Sequence, residues 1–192
     1  WRIKTSFNQK VAVFPEEIEK NDGRAAELFS FFGNLNGKKV IDIGCGKGRF
    51  LRILRVAFPE AELYGLDISE EMLSFCPSAV KTTCGSLLDI RYPDAYFDVV
   101  YGIEALEHSV RPAAAIKELS RILKPGGKMV IVDKNIKKLG ALKLEPWEQW
   151  FDEFEVCNIL KKNQIDAKSK YVAYGNHSQP DGLFIAWEGI KK

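Results

Sequence analysis

Apolar residues recur along this chain in two alternating rhythms. Short runs rich in branched side chains read as buried strands: Lys39 to Ile43, Leu63 to Leu66, Phe97 to Tyr101 and Met129 to Val132, with a weaker one at Val80 to Cys84. Between them the apolar spacing turns helical. Phe50, Leu54, Ala57 and Phe58 fall on one face, and Pro59 follows. Ser69, with Glu70 and Glu71 behind it, predicts a capped helix that Pro77 cuts short. Pro112 suits the first turn of a helix whose inner face is Ile116, Leu119, Ile122 and Leu123, and Pro125-Gly126-Gly127 predicts a turn after it. Residues 15 to 35, with Ile18, Leu28, Phe31 and Phe32, read as helical and precede the first strand.

Strands alternating with helices at this spacing predict a parallel sheet covered on both faces. The tail breaks the alternation. Asp152, with Glu155 three residues on, predicts a capping box opening a helix to about Lys162. Two strands follow, Lys170 to Ala173 and Leu183 to Trp187, joined by a loop too short for a crossover, so they are antiparallel. No repeat or linker interrupts the 192 residues, and one domain is expected. Its parts are an N-terminal helical or lid segment over 1–36, a core over 37–135, and a C-terminal helix and hairpin over 136–192.

The chemistry concentrates after the first strand. Val40-Ile41-Asp42-Ile43-Gly44-Cys45-Gly46-Lys47-Gly48 is a strand running into a glycine loop that opens a helix. Glycines let backbone approach a ligand closely. Asp67 ends the next strand, where an acidic residue accepts ribose hydroxyls. Together they point to an adenosine-containing cofactor. A dinucleotide reader wants GxGxxG with a helix N-terminus facing pyrophosphate. Here the spacing is GxGxG, and Asp42 sits two residues before the first glycine. A carboxylate there repels a pyrophosphate and suits an amino-acid ammonium, which S-adenosylmethionine has and NAD lacks.

On these residues the sequence resembles the class I S-adenosylmethionine-dependent methyltransferases, in particular the small-molecule type 11 group that includes the ubiquinone-biosynthesis O-methyltransferases. The resemblance covers about residues 35 to 135. It runs through VIDIGCGKG, LYGLDIS, GSLLDI, FDVVYGIEALEH and LKPGGKMVIVD. It implies a Rossmann-like, doubly wound α/β fold with seven strands in the order 3-2-1-4-5-7-6, strand 7 antiparallel. It also implies that Gly44 and Gly46 approach the cofactor backbone, that Asp67 binds the ribose and that Ile68 packs on the adenine. Ser86 and Leu87 then contact the adenine edge, and Ile103 lines the methionine end. Many members of the family carry Asp where Ser86 stands, a departure that bears on the contact to the adenine amino group.

Methyl transfer needs alignment and sometimes a base. The two histidines of the sequence both fall in loops on the expected ligand side of the sheet. His108 is read as the general base toward an acceptor hydroxyl, with His177, beside Asn176 and Ser178, as the alternative. Glu104, Glu107 and His108 also form an E-x-x-E-H string that would share one helical face and meet a metal. Such strings are similar to the metal sites of some family members and also occur in members that need no metal, so no metal is expected. Trp147, Trp150 and Phe151 are read as aromatic walls for an acceptor. Trp1, Phe7 and Phe14 are read as parts of a lid.

Composition adds limits. Formal net charge is +2, and from Lys134 onward ten Lys/Arg face eight Asp/Glu. No basic tail or patch asks for nucleic acid. No apolar stretch reaches a membrane span. Cys45, Cys76, Cys84 and Cys157 form neither CxxC nor zinc spacing and read as reduced thiols of a cytoplasmic protein. The chain opens on Trp1 rather than Met, as a trimmed chain or a piece of a longer one would. The expected activity is methyl transfer from S-adenosylmethionine to a small molecule at oxygen, with neither nucleic acid nor membrane as partner. The alternatives are a methyltransferase of RNA or protein, or a non-catalytic cofactor-binding module.

Overall fold

A computed structural model describes residues 2–19 and 21–192. Seven strands form one sheet in the order β3-β2-β1-β4-β5-β7-β6. They are β1 (Lys39–Ile43), β2 (Glu62–Asp67), β3 (Lys81–Cys84), β4 (Phe97–Ile103), β5 (Leu123–Lys134), β6 (Ile165–Val172) and β7 (Phe184–Lys191). The first five pair parallel, and β7 runs antiparallel to both β5 and β6. The predicted order and the odd direction of the seventh strand therefore hold.

Six α-helices accompany the sheet: α1 (Arg2–Gln9), α2 (Gly23–Phe32), α3 (Arg49–Ala57), α4 (Glu70–Leu73), α5 (Pro112–Ile122) and α6 (Glu153–Lys162). Period-2 alternation sends side chains to two cores. Val40, Leu63, Val99, Val130 and Ala186 pack with Leu28 of α2 and Leu51 and Leu54 of α3. Ile41, Ile43, Val100, Ile131 and Trp187 pack with Ile116 and Leu119 of α5 and Val156 and Leu160 of α6 on the other face. Each fully buried aliphatic side chain contributes about 1.5–3 kcal/mol relative to exposure, so both layers are needed to hold the strand ends in place.

Four local expectations need correction. The helix expected over 15–35 begins only at Gly23, because the Asp22 carboxylate accepts from the amides of Arg24 and Ala25 at 2.9 and 3.4 Å and so starts the helix there. The segment read as helical over 1–36 is not one helix: a separate α1 occupies Arg2–Gln9, apart from α2. Pro125-Gly126-Gly127 lies inside β5, where the register to β4 shifts between Phe97 and Val99 and Gly126 adopts φ +73°. It is an irregularity within a strand rather than a turn before one. Finally, β6 starts at Ile165, five residues early. Its alternate residues are exposed at the sheet edge, which dilutes the apolar signal. The Asp152 cap is present: its Oδ1 accepts from Phe154 N and Glu155 N at 2.9 and 3.4 Å.

Candidate active site

The glycine loop leaves β1 at its carboxyl end and is tied to β2 at once. The amides of Gly44 and Cys45 both donate to the Leu66 carbonyl, at 2.7 and 3.0 Å. Gly44 has φ +71°, and a Cβ there would stand 2.5 Å from that of Ala105, so no other residue fits. Gly46, at φ +53°, is the opposite case: a Cβ would meet nothing within 4 Å. Its bare face opens on the cavity. Its amide donates to Asp67 Oδ2 at 2.8 Å, while Asp67 Oδ1 accepts from Ser69 N at 2.9 Å. Burial pushes the Asp67 carboxyl up, and the Ser69 and Gly46 amides act against that.

Asp42 pairs in register with Tyr101 of β4 and is buried. Its Oδ2 has no hydrogen-bond partner, nor has the Tyr101 hydroxyl. Burial pushes this carboxyl well above the usual range, with the Arg49 charge acting against it. Ile68, Ser86, Leu87 and Ile103 line the same cavity. The Ser86 hydroxyl accepts from Leu88 N at 3.1 Å. An orphaned buried carboxylate, an open glycine face, a carboxylate at the end of β2 and apolar walls between them suit, in turn, an ammonium, a close-lying chain, a ribose and an adenine. The donor set fits S-adenosylmethionine, and Asp42 does not fit a pyrophosphate.

The cavity, about 520 Å³ in volume, continues past Ile103 to a second group of residues. His108 lies there, its ring set edge-on to Phe7 of α1 at 5.0 Å between centroids. Its Nδ1 is buried without a partner, and its Nε2 is 3.4 Å from Glu107 Oε1. Burial pushes the imidazole down to about 4, with Glu148 acting against that, so it is neutral near pH 7. Ile3, Ser6 and Phe7 of α1, and Phe14 beyond it, roof the space, and Trp147 closes the far side. Lys10 and Glu145 form an ion pair that joins the two parts of the roof. Trp1 lies outside the described residues.

His177 is elsewhere. Tyr174 stacks on Phe184 at 5.0 Å and carries the Arg24 guanidinium 4.4 Å above its ring, and residues 176–180 beyond it are exposed. His177, Asn176 and Ser178 do not line the cavity. Trp150 and Phe151 also leave the predicted site. Both are buried, Trp150 donating to Glu148 Oε1 at 2.8 Å and Phe151 standing edge-on to Trp187.

The E-x-x-E-H string does not form one helical face. Only Leu106–His108 turns, as a 3₁₀ segment, and Glu104 before it adopts φ +55°. Its carboxylate is held by Arg24 and Arg49. Glu107 and His108 instead gather with Glu148, their ligand atoms within 4.8 Å of one another. The Lys134 ammonium stands 2.6 Å from Glu107 and 2.9 Å from Glu148, a cation of the protein's own beside both carboxylates. Burial pushes Glu107 up to about 7, Lys134 acting against it. The sequence reading missed Arg24, Lys134 and Glu148, which reach the site from separate elements with no spacing signal.

The chain is similar to known methyltransferases. The family described as "Methyltransferase domain" (type 11) matches residues 41–131. The fatty-acid O-methyltransferase of Mycolicibacterium smegmatis is 28% identical over 152 residues, covering 72% of this chain and 55% of that protein. The chloroplastic tocopherol O-methyltransferase of Arabidopsis thaliana is 35% identical over 136 residues, covering 65% and 36%. A SAM-dependent methyltransferase from Aquifex aeolicus has the same fold, with a TM-score of 0.70 at 22% identity over 100% of this chain and 97% of that one. Over residues 41–131 the chain carries the methyltransferase domain of the class I S-adenosylmethionine-dependent enzymes, type 11 group. It spans about a third to a little over half of the length of these curated relatives.

Proposed function

We propose that this chain transfers a methyl group from S-adenosylmethionine to oxygen on a small, largely apolar acceptor. The observation that carries the proposal is a roofed cavity that joins the glycine loop at one end to His108, Phe7 and Trp147 at the other. Its volume lies within the roughly 300–1,000 Å³ of small-molecule sites. A roof over such a space favours a small acceptor over an RNA or protein chain. The two named relatives, one for a fatty acid and one for tocopherol, support the same class.

Each residue then has a task. Asp42 accepts the ammonium, and Gly44 and Gly46 leave room for the chain beside it. Asp67 accepts the ribose hydroxyls, Ile68 and Leu87 enclose the adenine with Ser86 at its edge, and Ile103 lines the methionine end. The bound cofactor supplies an electrophilic methyl on a sulfonium, and the protein supplies alignment and a place for the acceptor's proton. His108, a neutral imidazole lining the acceptor end, takes the hydroxyl proton. Phe7 and Trp147 offer flat apolar surface and keep water out.

The test is calorimetry with S-adenosylmethionine, S-adenosylhomocysteine and NAD, followed by turnover assays on fatty acids and phenols. The first two bind, NAD does not, and a product methylated at oxygen appears. Cofactor binding without transfer to any hydroxyl or carboxyl acceptor would overturn the oxygen assignment. His108→Ala lowers turnover about 10²–10⁴-fold with cofactor affinity intact. Equal turnover would remove His108 as the base.

A further inference from the structure

Nine consecutive residues after β5, numbers 136 to 144, are all exposed. Their sequence is Ile-Lys-Lys-Leu-Gly-Ala-Leu-Lys-Leu, four large aliphatic residues and three lysines without one acid. Soluble surfaces scatter single apolar residues and rarely string them together. Here Leu139 is 55% exposed, Leu142 45% and Leu144 36%. The two carboxylates that come next in sequence, Glu145 and Glu148, are paired with Lys10 and Lys134. Lys138 and Lys143 have no ion-pair partner among the described residues. Gly140, at φ +96°, bends the segment.

The position adds a second argument. The strip leaves the carboxyl end of β5, the end where the cavity opens, and Lys143, Glu145 and Trp147 line that cavity. Val110, 61% exposed, lines it too. The apolar, cationic strip is thus continuous with the wall of the acceptor end. Apolar side chains set among lysines match a surface with hydrocarbon beneath fixed negative charge. A purely apolar partner would leave the lysines unmatched, and a polyanion would leave the leucines in water.

We propose that residues 136–144 dock this chain on the surface of an anionic lipid bilayer, with the mouth of the cavity turned toward the lipid. The acceptor is then an apolar molecule drawn from that bilayer. This last clause rests on the methyl-transfer reading above, whereas the docking does not. Among the described residues no helix is long and apolar enough to cross a membrane, and the contact proposed is with the bilayer surface. It departs from the expectation, raised by the sequence, of no membrane partner.

The probe is flotation of the chain with vesicles of phosphatidylcholine containing 30% phosphatidylglycerol (roughly the anionic charge of a cytoplasmic leaflet), against vesicles of phosphatidylcholine alone. Binding to the anionic vesicles should exceed binding to the neutral ones and weaken in high salt. Lys138→Glu combined with Leu139→Asp and Leu142→Asp should lower it at least about tenfold. None of these three residues lines the cavity, so S-adenosylmethionine titration of the same variant, with unchanged affinity, shows an intact fold. Wild-type protein that ignores both vesicle types, or a variant that binds them equally well, would overturn the docking. A protein with an acidic, partly apolar face would then be the occupant to seek. Loss of cofactor binding in the wild type, with vesicle binding retained, would instead bring down the methyl-transfer reading alone.

Discussion

The two ends of the cavity are built on different principles. The cofactor end is made of strand termini and the backbone that leaves them: Asp42 and Gly44 from β1, Asp67 from β2, Ile103 from β4. These atoms are fixed by sheet register and by hydrogen bonds such as Gly44 and Cys45 to Leu66. The acceptor end has no such frame. Phe7 arrives from α1, His108 from a 3₁₀ turn, and Trp147 from the chain after the exposed strip, held together by ring contacts and the Lys10–Glu145 pair. Precision sits where a common ligand binds. The freer construction sits where the partner is peculiar to the protein.

Substitutions should therefore cost most at the glycine loop and least at the roof. Gly44→Val should do the greatest damage. It forces a left-handed backbone on a branched residue and a Cβ into Ala105, with strain of about 1–3 kcal/mol before the clash is counted. Cofactor binding should vanish by calorimetry and Tm should fall. Preserved binding would mean that the loop is softer than its register implies. Asp67→Ala is next. It removes a charged acceptor shared between loop and ligand, each such bond contributing about 1.5–3 kcal/mol, and the Kd for S-adenosylmethionine should rise about 10- to 100-fold. A smaller change would shift the weight of binding toward Asp42.

Glu107 lies between the two ends and reports through pH. Its carboxyl holds a proton up to about 7 in the folded chain against 4.5 unfolded. The folded state binds more protons across that window, so stability falls as pH rises from about 4.5 through about 7. In Glu107→Gln the fall in Tm over that range should be shallower, with Glu27, also raised to about 7, leaving a residual slope. An unchanged profile would show that Lys134 already holds Glu107 ionised. The smallest effect belongs to the roof: Lys10→Ala breaks an exposed ion pair contributing about 0–1 kcal/mol. Acceptor KM should move severalfold at most, while cofactor Kd stays. A large shift in cofactor Kd would erase the distinction between the two ends.

The same contrast governs what could be read in the sequence. The individual strands and the glycine loop were legible because they depend on local pattern, branched runs and φ > 0 positions that only a few residue types satisfy, whereas the strand order came from the resemblance to the methyltransferase family. The helix start at Asp22 was passed over because apolar spacing ran through it, although Asp-Gly is itself a cap signal. Glu104, Glu107 and His108 looked like one cluster on the assumption of 3.6 residues per turn. The left-handed backbone at Glu104 breaks that assumption and sends its carboxylate to Arg24 and Arg49. Lys134 and Glu148 approach His108 only through folding. Trp147 and Trp150, three residues apart in an irregular segment, gave no pattern to separate cavity wall from core.

Asp67 has one more implication. Its two oxygens hold the amides of Gly46 and Ser69, bonds the chain makes within itself. The loop's conformational entropy is thus lost during folding rather than on binding. Capture at that end then needs little rearrangement of the loop, and the cost of ordering it is not charged to the affinity for the ligand.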